Sequence, residues 1–204
     1  MAKFEIAYAP LKEFEGGYSN VAADRGGETY AGIARNFFGA WAGWPIVDAQ
    51  KARVGTRAST LNKVLAAIPE LQQMVADWYR TEWWDRLGLE ALPQELANEI
   101  FEQSVNLGRG GAGKLVQTMC NAFNYDKAAK GRIFDDLKVD GAIGPKTLNA
   151  LKVLVSRRTN EAALVHALNC LQGTHYLNLA ANKSSQRIFT DGWMTRTHDP
   201  EAAK

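Results

Sequence analysis

Apolar residues return at helical spacing over most of this chain, and that period constrains the fold more than any other feature. Leu71, Met74, Val75, Trp78 and Tyr79 mark one face, with Pro69 near the helix start. Leu96, Ala97, Ile100, Phe101 and Val105 mark a second, opened by Pro93 and closed near Gly108. Leu115, Val116, Met119, Cys120 and Phe123 form a third. Leu148, Leu151 and Val155 form a fourth, and Leu164, Leu168 and Leu171 a fifth, capped by Thr159 or Asn160. No run of alternating strands competes with this pattern. The expected fold is all-α, or mainly α, with one small irregular or β-hairpin region near residues 16–33, where Gly and polar residues gather.

Two lobes are expected, residues 1–108 and residues 109–204 packed together, with RGGAG at 109–113 as a flexible joint or the start of a helix. The last residues, THDPEAAK, read as a frayed tail. A chain of 204 residues is long enough for a sizeable core. Its formal charge of +2 makes no case for nucleic acid as a partner. Two cysteines do not make a disulfide framework, and Cys120 and Cys170 both read as buried small hydrophobes. No stretch approaches the roughly 18 apolar residues of a membrane span, so membrane insertion is not expected. The N-terminus shows no signal-peptide pattern, which points to synthesis in the cytoplasm.

The chemically informative stretch runs from Glu13 to Ala34. Glu15 falls at the end of a short helix whose buried side is Leu11 and Phe14, and Gly16-Gly17 stops that helix. A carboxylate at a helix C-terminus meets the negative end of the macrodipole, which, with partial burial, raises its pKa unless a cation is near. That is what a general acid needs near neutral pH. Asp24 follows nine positions on and Thr29 five further. A carboxylic acid, a second carboxylate and a hydroxyl in one cleft are the parts of glycoside hydrolysis. Glu15 would protonate the leaving oxygen, Asp24 would orient a water or stabilise the oxocarbenium-like charge, and Thr29 would hold that water. Each also has a plainer reading: Glu15 as a solvated residue, Asp24 as a turn residue bonding its own backbone, Thr29 as a strand or cap residue. Glu13 and Glu28 compete as carboxylates, with Glu13 expected on the opposite, solvated face.

The segment EGGYSNVAADRGGETYAGIA resembles the glycoside hydrolase family 108 lysozymes, which carry a Glu-Gly-Gly-Tyr signature. WYRTEWWDRL at 78–87, FEQSVNLG at 101–108 and DGAIGPKTLNAL at 140–151 extend the resemblance over most of the chain. It implies a lysozyme-like helical fold and cleavage of the β-1,4 bond between N-acetylmuramic acid and N-acetylglucosamine. Glu15 matches the family's catalytic glutamate. The Glu-x8-Asp-x4-Thr spacing is also similar to the catalytic triad of phage T4-type lysozymes, which supports Asp24 and Thr29. Arg25 beside Asp24 departs from the family pattern: it either pairs with Asp24 and holds it ionised or occupies its water site.

Glycan clefts combine aromatic faces with amides. Tyr18, Tyr30, Trp41 and Trp44 are therefore substrate-binding candidates, as are Gln103 and Asn106 on the polar side of their helix. At most one of Trp83 and Trp84 can face the cleft, because neighbours on a helix point about 100° apart. Trp78 and Tyr79 are assigned to the core. The turn VDGAIGPKT at 139–147 resembles the Asp-Gly-x-x-Gly-x-x-Thr element of peptidoglycan-binding helical modules, and the second lobe is either wall-binding or a structural companion. His166, His175 and His198 lack metal-ligand spacing, so neither metal nor cofactor is expected. The resulting expectation is a monomeric, inverting peptidoglycan hydrolase of endolysin type. It would act on wall glycan strands after release through a membrane lesion such as a holin makes. A lytic transglycosylase using Glu15 alone and a non-catalytic wall-binding or secretion-associated protein are the alternatives.

Overall fold

The computed structural model describes residues 1–14, 16–20, 26–157 and 161–197, with the side chains of 12–14 excepted. The order of elements is mainly helical, as the apolar period requires, with a single small sheet among the described residues. Two compact units emerge, one of residues 8–82 and one of residues 1–7 with 83–204. The first helix, α1 (Phe4–Phe14), crosses that division. Compactness thus divides the chain at other positions than the boundary at 108/109 expected from the RGGAG segment.

The 8–82 unit holds the hairpin region foreseen near 16–33. Its strands are β1 (Tyr18–Asn20), β2 (Glu28–Tyr30) and β3 (Ile33–Ala34), antiparallel in the order β1-β2-β3. The register pairs Tyr18 with Tyr30, Ser19 with Thr29 and Asn20 with Glu28, then Tyr30 with Ile33. Ala31 and Gly32 link β2 to β3 with φ of 46° and 74°, the two positive values of a type I′ turn. The Tyr79 hydroxyl donates to the Ala31 carbonyl at 3.0 Å and holds this turn. Helices α2 (Trp44–Val54), α3 (Ala58–Ala66) and α4 (Pro69–Tyr79) complete the unit. Ile33, Val47, Leu61, Leu65 and Leu71 are its fully buried aliphatics. Tyr79 is buried as expected, whereas Trp78 is only half-buried, edge-on to Phe38 at 4.9 Å.

In the other unit the long helix α5 (Gln94–Ala122) packs against α6 (Pro145–Arg157) and α7 (Ala162–Asn182). Leu96, Ala97, Ile100 and Phe101 face its core, and Phe4, Trp84 and Phe101 meet edge to face at 5.8–5.9 Å. The helix predicted to close near Gly108 does so: Gly108 is non-helical, at φ 75° and ψ 155°, and a second helix meets the first across a kink there, so α5 is two helical segments run together. RGGAG is therefore helical, and its small residues serve a close approach. A Cβ on Gly113 would lie 2.0 Å from the Gly141 carbonyl oxygen, so the 139–147 turn can sit on α5 only where both residues lack side chains. Pro145 opens α6, as predicted.

The segment between α5 and α6 has little regular structure, yet three amides one turn apart hold its backbone. Gln117 donates to the Ala142 carbonyl at 3.0 Å and accepts from Gly141 N at 2.8 Å. Asn121 does the same at both ends of Leu137, and the Asn124 carbonyl oxygen accepts from Ile133 and Phe134 N. Cys120 is buried, and burial pushes its thiol up to about 12. Cys170 departs from expectation: it is exposed, 3.5 Å from His166 one turn away on α7, because its side of the helix turns away from α5. The proposed cap Thr159 or Asn160 and residues 198–204 of the tail, with His198, lie outside the described residues.

Candidate active site

The loop and sheet that follow α1 carry the predicted chemistry. Glu15 and Asp24, with Arg25, lie outside the described residues, as does the side chain of Glu13. What is described is the frame around them: the end of α1, both glycines and the sheet bearing Thr29.

The two glycines have different reasons to be glycine. A Cβ on Gly17 would lie 2.3 Å from the Asn62 side chain, whose Oδ1 accepts from Tyr18 N at 2.6 Å. A side chain at 17 would therefore have to displace the Asn62 amide and its hydrogen bond from Tyr18 N. At Gly16 a Cβ would meet nothing within 4 Å among the described residues. Gly17→Ala should thus destabilise the fold by about 1–3 kcal/mol through overpacking, read as a lower melting temperature. Gly16→Ala should leave the melting temperature unchanged and lower wall-lysing activity, because Gly16 directly follows the expected acid in sequence. An unchanged lysis rate for Gly16→Ala would show that the space at Gly16 is not used.

Strand parity separates the candidates on the sheet. Side chains alternate between faces, and directly paired residues share a face. Tyr18, Tyr30 and Ile33 fall on one face and are buried, at 6%, 4% and 0% exposure. Ser19, Thr29 and Ala34 fall on the other. Thr29 is half-buried, its hydroxyl 3.4 Å from the Gly27 carbonyl oxygen that it faces as a donor. Thr29 therefore keeps a position from which it can reach a substrate, and the two tyrosines expected beside it at the cleft are interior. The Tyr30 hydroxyl accepts from Gln72 at 2.9 Å, and its ring stacks on Trp41 at 6.4 Å. Trp44 is also interior, 3% exposed, with its indole N–H donating to the Phe38 carbonyl at 2.9 Å. Trp41 is half-buried and alone of these four keeps part of its ring in solvent.

Glu28, the competing carboxylate, belongs to an ion cluster that sequence reading missed. On the tyrosine face of the sheet it accepts from the Tyr18 hydroxyl at 2.8 Å and pairs with Arg35 at 2.8 Å and with Lys51. Asp48 closes the cluster with both terminal guanidinium nitrogens of Arg35, at 3.1 and 2.8 Å, and with Lys51 at 3.3 Å. Arg35 also lies over the Trp44 ring at 4.2 Å. Burial by itself would raise the Glu28 carboxyl, but Lys51, Tyr18 and Arg35 outweigh it and hold it below the usual carboxylate range. Glu28 is thus an ionised structural anion, unsuited to donate a proton. Its parity with Tyr18 was the available signal: a glutamate on the buried face of a strand needs cations, and Arg35 and Lys51 are at hand.

Gln103 and Asn106 belong to the 83–204 unit. Gln103 is fully buried and donates to Glu99 at 2.6 Å, and Asn106 donates to the Tyr176 hydroxyl. Asn106 thus ties α5 to the polar side of α7, where Gln172 donates to Glu102 at 2.9 Å, while Gln103 bonds within α5. Of the paired tryptophans Trp84 is buried and Trp83 half-buried beneath Arg109 at 5.5 Å. Trp193 stacks on Tyr176 at 5.3 Å. Among the described residues no three His, Cys, Asp or Glu side chains are grouped to hold a metal ion, and no helix is long and apolar enough to cross a membrane.

Two family models match the chain: glycosyl hydrolase 108 over residues 9–108 and a predicted peptidoglycan domain over residues 112–198. No curated protein matches. Among solved structures the chain is similar to that of Brucella abortus SagA, at a TM-score of 0.57 and 21% identity, over 95% of this chain and 88% of that one. At that identity the likeness is one of fold.

Proposed function

Since residues 9–108 belong to the glycosyl hydrolase 108 family and residues 112–198 to a predicted peptidoglycan domain family, we propose that this chain is an N-acetylmuramidase whose general acid is Glu15. The chain is a glycoside hydrolase that degrades peptidoglycan. The finer reading places the cut at the β-1,4 bond between N-acetylmuramic acid and N-acetylglucosamine. The observation that carries it is the local frame: Gly16 and Gly17 directly follow Glu15 in sequence, a Cβ on Gly16 would meet no described residue within 4 Å, and Thr29 stands on the face of the sheet opposite the buried tyrosines.

In this reading Glu15 protonates the leaving glycosidic oxygen. Asp24 stays ionised and orients the attacking water, with the Thr29 hydroxyl holding that water by a hydrogen bond. Separate carboxyls of roughly 6.5–9.5 Å leave room for the water and give inversion. Trp41 offers a sugar-stacking face. The substrate is the wall, so the enzyme works as a monomer outside the cytoplasmic membrane, in the manner of an endolysin.

Product analysis tests the reaction class. Digests of purified peptidoglycan are expected to show new reducing ends on N-acetylmuramic acid. Reducing ends on N-acetylglucosamine would overturn the bond assignment, and anhydro-muramic ends would make the enzyme a lytic transglycosylase that needs no second carboxylate. In the same assay Asp24→Asn should slow turnover by about 10²-fold or more. An unaffected rate would leave Asp24 a turn residue.

A further inference from the structure

The 83–204 unit carries an open groove of about 830 Å³ between the segment 133–142 and the first turns of α6. Three of its properties bear on what it takes. The groove is built in advance: Gln117, Asn121 and Asn124 hold the backbone of its loop wall as a neighbouring strand would, so ordering is complete before a ligand arrives. Its lining carries both signs of charge, with Asp135 and Asp140 against Lys138 and Lys146, and a third carboxylate, Asp136, already held by Asn124 and Arg132. Phe134 is the one aromatic residue in its wall, and the apolar remainder consists of small or aliphatic groups such as Ala142, Pro145 and Ala150.

Sugar rings are uncharged on their faces and are held by aromatic stacking and amides. A groove with one aromatic ring and charges of both signs is a poor match to them. A short zwitterionic peptide rich in alanine matches it on each count: its carboxylates meet Lys138 and Lys146, its ammonium meets Asp135 and Asp140, and its methyl groups meet the alanine and proline surface. We infer that this groove receives the stem peptide of peptidoglycan, while the glycan strand is handled by the catalytic unit. The inference rests on the reading of residues 112–198 as a wall-binding module.

The test uses the full chain carrying Glu15→Gln, so that wall material stays uncut. Two probes are titrated while backbone amide resonances are followed: the tetrapeptide L-Ala-γ-D-Glu-meso-diaminopimelate-D-Ala, and chitotetraose. The tetrapeptide is expected to shift resonances of residues 134–149. The double variant Lys138→Ala, Lys146→Ala is expected to weaken it about tenfold or more. Both lysines are exposed, and Lys146→Glu serves as a second variant should the double one lower the melting temperature. Chitotetraose shifting these residues in place of the peptide overturns the peptide assignment and leaves wall binding standing. Peptide shifts elsewhere overturn the groove. Failure of the Glu15→Gln chain to co-sediment with insoluble peptidoglycan overturns the wall-binding reading itself, and the inference with it.

Discussion

Glu15→Gln is expected to lower the rate of wall lysis by about 10²–10⁴-fold, the usual worth of a positioned general acid. The melting temperature should stay the same or rise slightly. The sequence reading puts this carboxylate at a helix C-terminus, where it would oppose the helix dipole, and the neutral amide would remove that opposition. A turbidity assay on wild type and variant, paired with thermal melts of both, reads the two quantities together. Lysis that survives the substitution overturns Glu15 as the acid. Glu28→Gln is the contrasting control, because Glu28 serves the ion cluster. It should lower the melting temperature while keeping the rate measured well below it.

The second large effect concerns that cluster. Lys51→Met leaves Glu28, whose side chain is 11% exposed, with Arg35 as its remaining cation. Removing one partner of a fully buried pair costs about 3–5 kcal/mol. Lys51 keeps 22% of its side chain in water, so solvent screening reduces the expected loss to about 2–3 kcal/mol. In a chain of this size that is a fall in melting temperature of roughly 4–12 °C. Adding Glu28→Gln to Lys51→Met should recover part of the loss, since the two act through one contact. Additive losses would show that the pair is not coupled.

The same cluster sets a pH window. The Glu28 carboxyl is held low in the folded state, so its stabilisation is present above its ordinary value of 4.5 and is lost as pH falls through the lower folded value. Burial opposes the Lys51 ammonium, but Glu28, Tyr18 and Asp48 raise it above 10.5. Its contribution is therefore full below 10.5 and is lost as pH rises beyond that. Melts across pH should show the difference between wild type and Lys51→Met greatest between these limits and shrinking on the acid side. A difference independent of pH would assign the loss to packing of the lysine stem.

Much of this protein was legible in the linear sequence. The apolar faces at 71–79 and 96–101 are buried nearly as the period demands, and Pro145 opens its helix, because helix formation and amphipathic burial are local. The Glu-Gly-Gly-Tyr stretch located the family for the same reason, since a motif is a local pattern. The roles of single side chains were less legible. Tyr18, Tyr30 and Trp44 flank the motif and read as sugar-binding, yet strand parity and packing turn them inward.

The sequence by itself determined the helical class and the place of the small sheet, both set by neighbours within a few residues. Only the tertiary structure decided which glutamate is structural, that Gly17 lies against the Asn62 side chain, and that a charged groove lies beside α6. Each depends on groups brought together across gaps of chain: Lys51 on Glu28, Asn62 on Gly17, Gln117 on Gly141. Such contacts have no period and no motif, and their energies arise only when folding removes water from between the partners.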